Sequence, residues 1–208
     1  AVTAGGDLVL WADQGSPSSL AGVGGALVDE VELKAGRNLL LHGGSIRSAD
    51  FIKLGAGDNL SADVSSFLDL QSTHDVEVSA GSGNLLLGDI GAERVTLKAG
   101  GGSIAQAASG RITADLLAVQ ALNEVALHIA GGTATVQVSG PGGISIVADG
   151  PVVLQHVSTA DGAIQVAAED TITALNVLSL TDAAGRDVTL RNARGDVLVD
   201  RIAVGYQS

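Results

Sequence analysis

The chain has 208 residues, a formal net charge of -12 and no cysteine, which excludes disulfide and thiolate chemistry and argues against a nucleic-acid groove, since that needs a basic stripe. The same acidity disfavours anionic membrane surfaces and heparin-like polymers, and no stretch of about 18 uninterrupted apolar residues is present to insert in a bilayer. Hydrophobic residues make up 46% but aromatics only 2%, with 29 glycines and 3 prolines, which suits short strands, tight turns and a core of small aliphatic side chains.

In chain order, Gly6-Asp-Leu-Val-Leu10 opens with a turn and a strand. The beginning at Ala1 and the end at Ser208 both read as the middle of a repeat, so residues 1–208 are expected to be a single segment of a longer array. Residues 11–30 break the rhythm: Gly15-Ser-Pro-Ser-Ser19 and Ala21-Gly-Val-Gly-Gly25 are uncharged, loop-like and rich in Gly and Ser. This stretch is read as an irregular loop insertion with Trp11, the only tryptophan, at its start. Either Trp11 covers exposed apolar surface there, or the insertion is a binding loop, because function in repeat proteins often sits on insertions.

From Val31 onward one phrase becomes regular, an apolar, x, apolar, x, small, Gly pattern. It stands as Val31-Glu-Leu-Lys-Ala-Gly36, Ile52-Lys-Leu-Gly-Ala-Gly57, Val76-Glu-Val-Ser-Ala-Gly81 and Val95-Thr-Leu-Lys-Ala-Gly100. Looser copies begin at Leu117, Val136, Ile164 and Val188, so the intervals are 21, 24, 19, 22, 19, 28 and 24 residues. Strict alternation makes each copy a strand with one buried face. A recurrence of about 20 residues makes each copy one step of a solenoid. The predicted fold is all-β, a right-handed parallel β-helix of about 20 residues per rung and roughly nine or ten rungs.

Each phrase runs through a Gly turn into a second apolar strand, as in Gly36-Arg-Asn-Leu-Leu-Leu41, Gly57-Asp-Asn-Leu60 and Gly83-Asn-Leu-Leu-Leu87. Asn38, Asn59 and Asn84 hold the same place, one residue before the leading Leu. Stacked about 4.8 Å apart, their amides are expected to form a ladder, each donating to the next carbonyl. Ser45-Ile-Arg-Ser48 and Asp89-Ile-Gly-Ala92 are read as a third, weaker strand, giving three strands per rung. The alanine-rich stretch from Ala105 to Asn123 is kept as strands, because Gly110 interrupts it and Leu117 falls on the period. The long gap from Val136 to Ile164 holds residues 141–150, read as an added strand arm or a shift of register between faces.

Phrases such as Gly83-Asn-Leu-Leu-Leu-Gly-Asp-Ile-Gly-Ala-Glu-Arg-Val-Thr-Leu-Lys-Ala-Gly100 resemble the repeats of filamentous-haemagglutinin-type exoproteins. The resemblance covers most of the chain from about Val31 and is one of repeat pattern. It implies a shaft of right-handed parallel β-helix in a two-partner-secreted adhesin, located outside a Gram-negative cell or on its surface.

Candidate chemistry is sparse. Arg194-Gly195-Asp196 is a tripeptide that can engage integrins from a surface loop, although Gly-Asp before an apolar strand is also a turn this chain uses at Gly6-Asp7 and Gly57-Asp58. Gly55-Ala-Gly-Asp-Asn-Leu60 has something of a calcium-roll repeat, but Gly81-Ser-Gly-Asn84 and Gly100-Gly-Gly-Ser103 do not repeat its carboxylate. His42, His74, His128 and His156 lack paired ligand spacing, so neither metal nor cofactor is expected.

On the main face one outward column should read Glu32, Lys53, Glu77, Thr96, Ala118, Gln137, Gln165, Thr189. The other should read Lys34, Gly55, Ser79, Lys98, Gln120, Ser139, Ala167, Arg191. Neither stacks two acids on adjacent rungs, so no catalytic pair is expected there and no enzyme is predicted. The leading expectation is a structural shaft whose partners are neighbouring repeats of the same polypeptide. The alternative is a module that binds a host or cell-surface glycan or protein through the 11–30 loop or the 141–150 arm. A polysaccharide lyase or hydrolase ranks last.

Overall fold

A computed structural model describes residues 1–6, 8–11, 19–20, 29–42, 45–62, 69–181 and 183–205. These residues form strands and turns without a helix, stacked as a parallel β-solenoid of about 8 turns with about 21 residues per turn. The first strands are β1 (Val2–Ala4), β2 (Leu8–Trp11) and β3 (Ser19–Leu20). Three turns of three strands follow: β4 (Glu30–Ala35), β5 (Leu39–His42), β6 (Ser45–Ser48); β7 (Phe51–Ala56), β8 (Leu60–Ala62), β9 (Asp69–Ser72); and β10 (Asp75–Ala80), β11 (Leu85–Leu87), β12 (Asp89–Gly91). The next is β13 (Arg94–Ala99), β14 (Ile104–Gln106), β15 (Ile112–Thr113).

Two-strand turns come after: β16 (Leu116–Ala121) with β17 (Val125–Ile129), β18 (Gly132–Pro141) with β19 (Ile144–Ala148), and β20 (Val152–Asp161) with β21 (Ile164–Ala168). The last strands are β22 (Ile172–Ala174), β23 (Val177–Ser179), β24 (Val188–Asn192), β25 (Val197–Val199) and β26 (Ile202–Val204).

The main sheet has 12 strands, ten of them on one path from β1 through β20 to β25. The phrase strands pair in full register there, Val76 with Ile52 on one side and Val95 on the other. Alternation sets the faces: Val95, Leu97 and Ala99 are buried, while Thr96 and Lys98 are exposed. The inward positions from Leu33 to Val177 join one core of Leu, Ile, Val and Ala without an aromatic ring among the described residues. Val2 in the first turn and Val197, Val199, Ile202 and Val204 in the last are exposed. Each rung exposes its apolar face until a neighbour covers it, so stacking both buries the column and pairs the backbone.

The second sheet has 14 strands and bends around the rod. Its two sides are separate until β17, which pairs with β14 at Val125 and with β15 at Ile129. Val125, Leu127 and Ile129 alternate inward with no turn residue between them, so the corner that earlier turns place there is lost. Three strands per turn is therefore true only of part of the rod.

The register corrects the expected columns. Leu117 pairs with Ala134 and Val119 with Val136, so Thr135 follows Ala118 and Gln137 follows Gln120, each two residues before the expected member. A bulge between Ala134 and Thr135 sets Thr135 opposite His156 and Gln137 opposite Ser158. The phrase copies at Ile164 and Val188 lie in the second sheet, as β21 and β24. The apparent 28-residue step thus compared two different faces, and residues 144–148 are the regular strand β19.

The 11–30 stretch is also less irregular than expected. Trp11 ends β2, opposite His42. Ser19 and Leu20 pair with Ser45 and Ile46, and Glu30 begins β4. Residues 12–18 and 21–28, and the Trp11 side chain, lie outside the described residues.

Candidate functional site

Asn38, Asn59 and Asn84 stack at the turn before the second-sheet strands, where Leu39 pairs with Leu60 and Leu60 with Leu85. The ladder differs from a chain of amides. Asn59 Nδ2 donates to Asn38 Oδ1 at 3.2 Å, but the repeated contact is from backbone to side chain. The Asn84 N–H donates to Asn59 Oδ1 at 3.0 Å and the Ser103 N–H to Asn84 Oδ1 at 2.8 Å. The positions are exposed or half-buried, so water lowers the cost of a missing partner. The Asn side chain serves chiefly as an acceptor that ties one turn's oxygen to the next turn's backbone.

Arg194, Gly195 and Asp196 form the exposed turn between β24 and β25. Gly195 has φ +74, and a Cβ there would stand 2.4 Å from Thr171 Oγ1, so glycine is required both by backbone and by space. Arg194 Nη2 lies 3.5 Å from Glu169 Oε2, its carbonyl accepts from Asn192 Nδ2 at 2.8 Å, and the Asp196 N–H donates to Thr171 Oγ1 at 3.3 Å. Asp196 directly precedes a main-sheet strand. Asp58 precedes the second sheet by way of Asn59, so the two Gly-Asp turns occupy different corners.

Ionisable groups pair mostly between turns. Glu32, Lys53 and Glu77 are consecutive in register, and Lys53 Nζ lies 3.1 Å from Glu77 Oε2. Asp149 receives His128 Nε2 at 2.7 Å and Arg111 Nη2 at 2.9 Å; the His128 hydrogen bond, with lesser charge effects of His128 and Arg111, lowers its carboxyl pKa. Hydrogen bonds from Thr181 and Arg186 lower that of Asp161. His74 Nδ1 meets Asp50 Oδ1 at 3.1 Å and His156 Nδ1 meets Asn176 Nδ2 at 2.7 Å. Among the described residues no three His, Cys, Asp or Glu are placed to hold a metal.

Among the described residues, two open grooves stand out. One, of about 610 Å³, runs over a corner lined by Gln71, Thr73, Gly91, Glu93, Thr113 and Asp115. Asp115 and Glu93 share a position on adjacent turns, the Asp115 N–H donating to the Glu93 carbonyl at 3.0 Å. These stacked acids lie off the main face, where the sequence columns did not reach. Both are exposed, in a groove open to solvent. The other groove, of about 300 Å³, crosses β19, β21 and β24.

Buried hydroxyls also escaped the sequence reading. Thr159 Oγ1 donates to the Gly142 carbonyl at 2.6 Å, and Ser179 Oγ to that of Gly162 at 2.9 Å. They pair in register and are fully buried. The sequence signal for them was a Thr or Ser in an inward position of an alternating strand. No helix among the described residues is long and apolar enough to cross a membrane. In comparisons with known proteins, no family model, curated protein or solved structure matches the chain.

Proposed function

We propose that the chain is a structural shaft segment of a large secreted or surface-attached bacterial adhesin, holding other domains away from the cell. The observation that carries this reading is the continuous stack: ten main-path strands in parallel register, those from β4 to β22 over one unbroken aliphatic core. At about 4.8 Å per strand such a path extends about 45 Å, and a longer array lengthens it in proportion. The repeat pattern's resemblance to haemagglutinin-type exoproteins supports the same reading. So does the way polar groups are spent on bonds between turns.

A shaft acts through length and stiffness. In the full-length protein, replacing these turns by an equal length of unrelated β-solenoid should leave cell adhesion intact. Loss of adhesion on such a replacement would overturn the reading.

A binding module is the second reading, favoured by the exposed Arg194-Gly195-Asp196 turn with its left-handed glycine. Adhesion through it should fall on Asp196→Glu, which keeps the charge and displaces the carboxylate. Adhesion lost on Trp11→Ala instead would assign it to the 11–30 loop.

A further inference from the structure

In a chain of net charge -12, arginines are expected to find acids, and most do. Arg47, Arg94, Arg111, Arg186 and Arg194 each pair with an Asp or Glu. Arg191 is exposed, and its side chain makes no ion pair or hydrogen bond with a described residue. It stands at one end of the 300 Å³ groove across β19, β21 and β24.

Register builds the groove floor from two outward columns. Ser145, Gln165 and Thr189 pair in one, and Val147, Ala167 and Arg191 in the other. Val147 is 47% exposed, a large apolar side chain left open to solvent, and Ala167 beside it keeps the surface flat. Of the nearby acids, Glu169 pairs with Arg194 and Asp149 with His128 and Arg111. The exposed Asp187, two residues before Thr189, has no ion pair with a described residue.

We infer that this groove binds a carboxylated sugar unit. The Arg191 guanidinium takes the carboxylate in a two-pronged, charge-assisted contact. Gln165, Thr189 and Ser145 offer an amide and two hydroxyls to the sugar hydroxyls. Val147 and Ala167 receive the C–H face of the ring. An acidic peptide would use the arginine but has no flat apolar face for that floor, and the groove's size suits one or two sugar units. The inference stands apart from the shaft reading, since a rod can carry a lateral site or lack one.

The test is a nuclear magnetic resonance titration of the whole isotope-labelled chain with trigalacturonate, a hyaluronate tetrasaccharide and sialyllactose. At least one should shift the amides of Val147, Gln165, Ala167 and Thr189, whereas lactose and the methyl ester of trigalacturonate should not. Arg191→Gln should weaken binding at least about tenfold, 1.4 kcal/mol for each decade, with an unchanged melting temperature. Arg94→Gln, which removes an arginine paired with Asp75 outside the groove, should leave binding unchanged. Absence of shifts with all three saccharides, equal binding by Arg191→Gln, or equal binding of triglutamate would each overturn the inference.

Discussion

The turns from Glu30 to Thr113 and those from Leu116 to Ala168 share one core and differ in cross-section. The earlier turns have three short strands each; the later ones have two longer strands, with β18 and β20 each reaching 10 residues. The difference lies at the corners. In the earlier turns Gly36, Gly57, Gly81 and Gly100 stack after the main strand. A Cβ on any of them would stand only 2.1–2.4 Å from the carbonyl oxygen of the glycine one turn before. Leu122 takes that position next, its N–H donating to the Ala99 carbonyl at 3.2 Å, and its side chain points outward, 39% exposed. The later turns close on glycine further along, after the longer strands, where a Cβ on Gly162 would stand 2.0 Å from the Gly142 carbonyl oxygen. The inward alternation fixes the solenoid, while the place of the close-packed glycines decides where the chain turns.

If that is right, the core should respond alike in both regions. Leu97 and Leu154 are both 0% exposed, so Leu97→Ala and Leu154→Ala should each cost about 2–5 kcal/mol in a denaturant titration. Thr96→Ala should stay within about 0.5 kcal/mol. A much smaller loss at Leu154 would mean that the later turns are loosely packed and the comparison is one of order, not of corners. Gly81→Ala is the next largest effect. Its Cβ would meet the Gly57 oxygen at 2.4 Å, and backbone must shift, at about 1–3 kcal/mol. Leu122→Ala, at the equivalent later corner, should cost far less.

The same contrast explains how much could be read from sequence. Val31, Ile52, Val76 and Val95 carry a six-residue phrase closed by glycine, and every one of them sits in the main sheet as expected. Ile164 and Val188 carry the alternation without that glycine, and they sit in the second sheet. Period two tells which side chains turn inward, but every sheet of a solenoid has an inside. A closing glycine marks the main sheet where it is present, but Leu117 lacks it and sits there too, so the phrase alone does not assign the face. For the same reason the Asn ladder was legible as a position, since the turn repeats, but not as a bonding pattern, since backbone N–H groups leave no mark in sequence. The Glu93–Asp115 stack and the Arg191 groove depend on register across corners and bulges, which the spacing of the repeats in sequence does not fix.

Asn59 sharpens the earlier region. Its Oδ1 accepts the Asn84 N–H and its Nδ2 donates to Asn38. Asn59→Ala removes both contacts and should cost about 0.5–1.5 kcal/mol. Asn59→Asp keeps the acceptor and should cost less, the opposite of the order that an amide-to-amide ladder requires.

In the later region Asp161 offers a test by pH. Hydrogen bonds from Thr181 and Arg186 lower its folded pKa, so the unfolded chain binds the proton more tightly. The stabilising contribution is present above the ordinary carboxylate value of about 3.9 and is lost as pH falls through the folded value. Asp161→Asn should therefore unfold with a shallower dependence on pH in that acid range than the parent chain. An unchanged slope would mean that the loop from Thr181 to Arg186 does not hold this carboxylate in solution.

The smallest expected effect tests register itself. Glu32, Lys53 and Glu77 stack on consecutive turns, and Lys53 approaches Glu77 to 3.1 Å with the two side chains 42% and 37% exposed. Water screens such a pair and ordering two long side chains costs entropy, so a double-mutant cycle of Lys53→Ala and Glu77→Ala should give only about 0.2–1 kcal/mol. The coupling should fall as salt is raised, because the Debye length shrinks to about 3 Å at 1 M. Thr96 follows Glu77 in the column, so the cycle of Lys53→Ala with Thr96→Ala should show no coupling. Coupling between Lys53 and Thr96, or none between Lys53 and Glu77 at low salt, would mean that the earlier turns slip in register. The close glycine stack could not tolerate that slip, and the contrast between the two regions would then fail at its base.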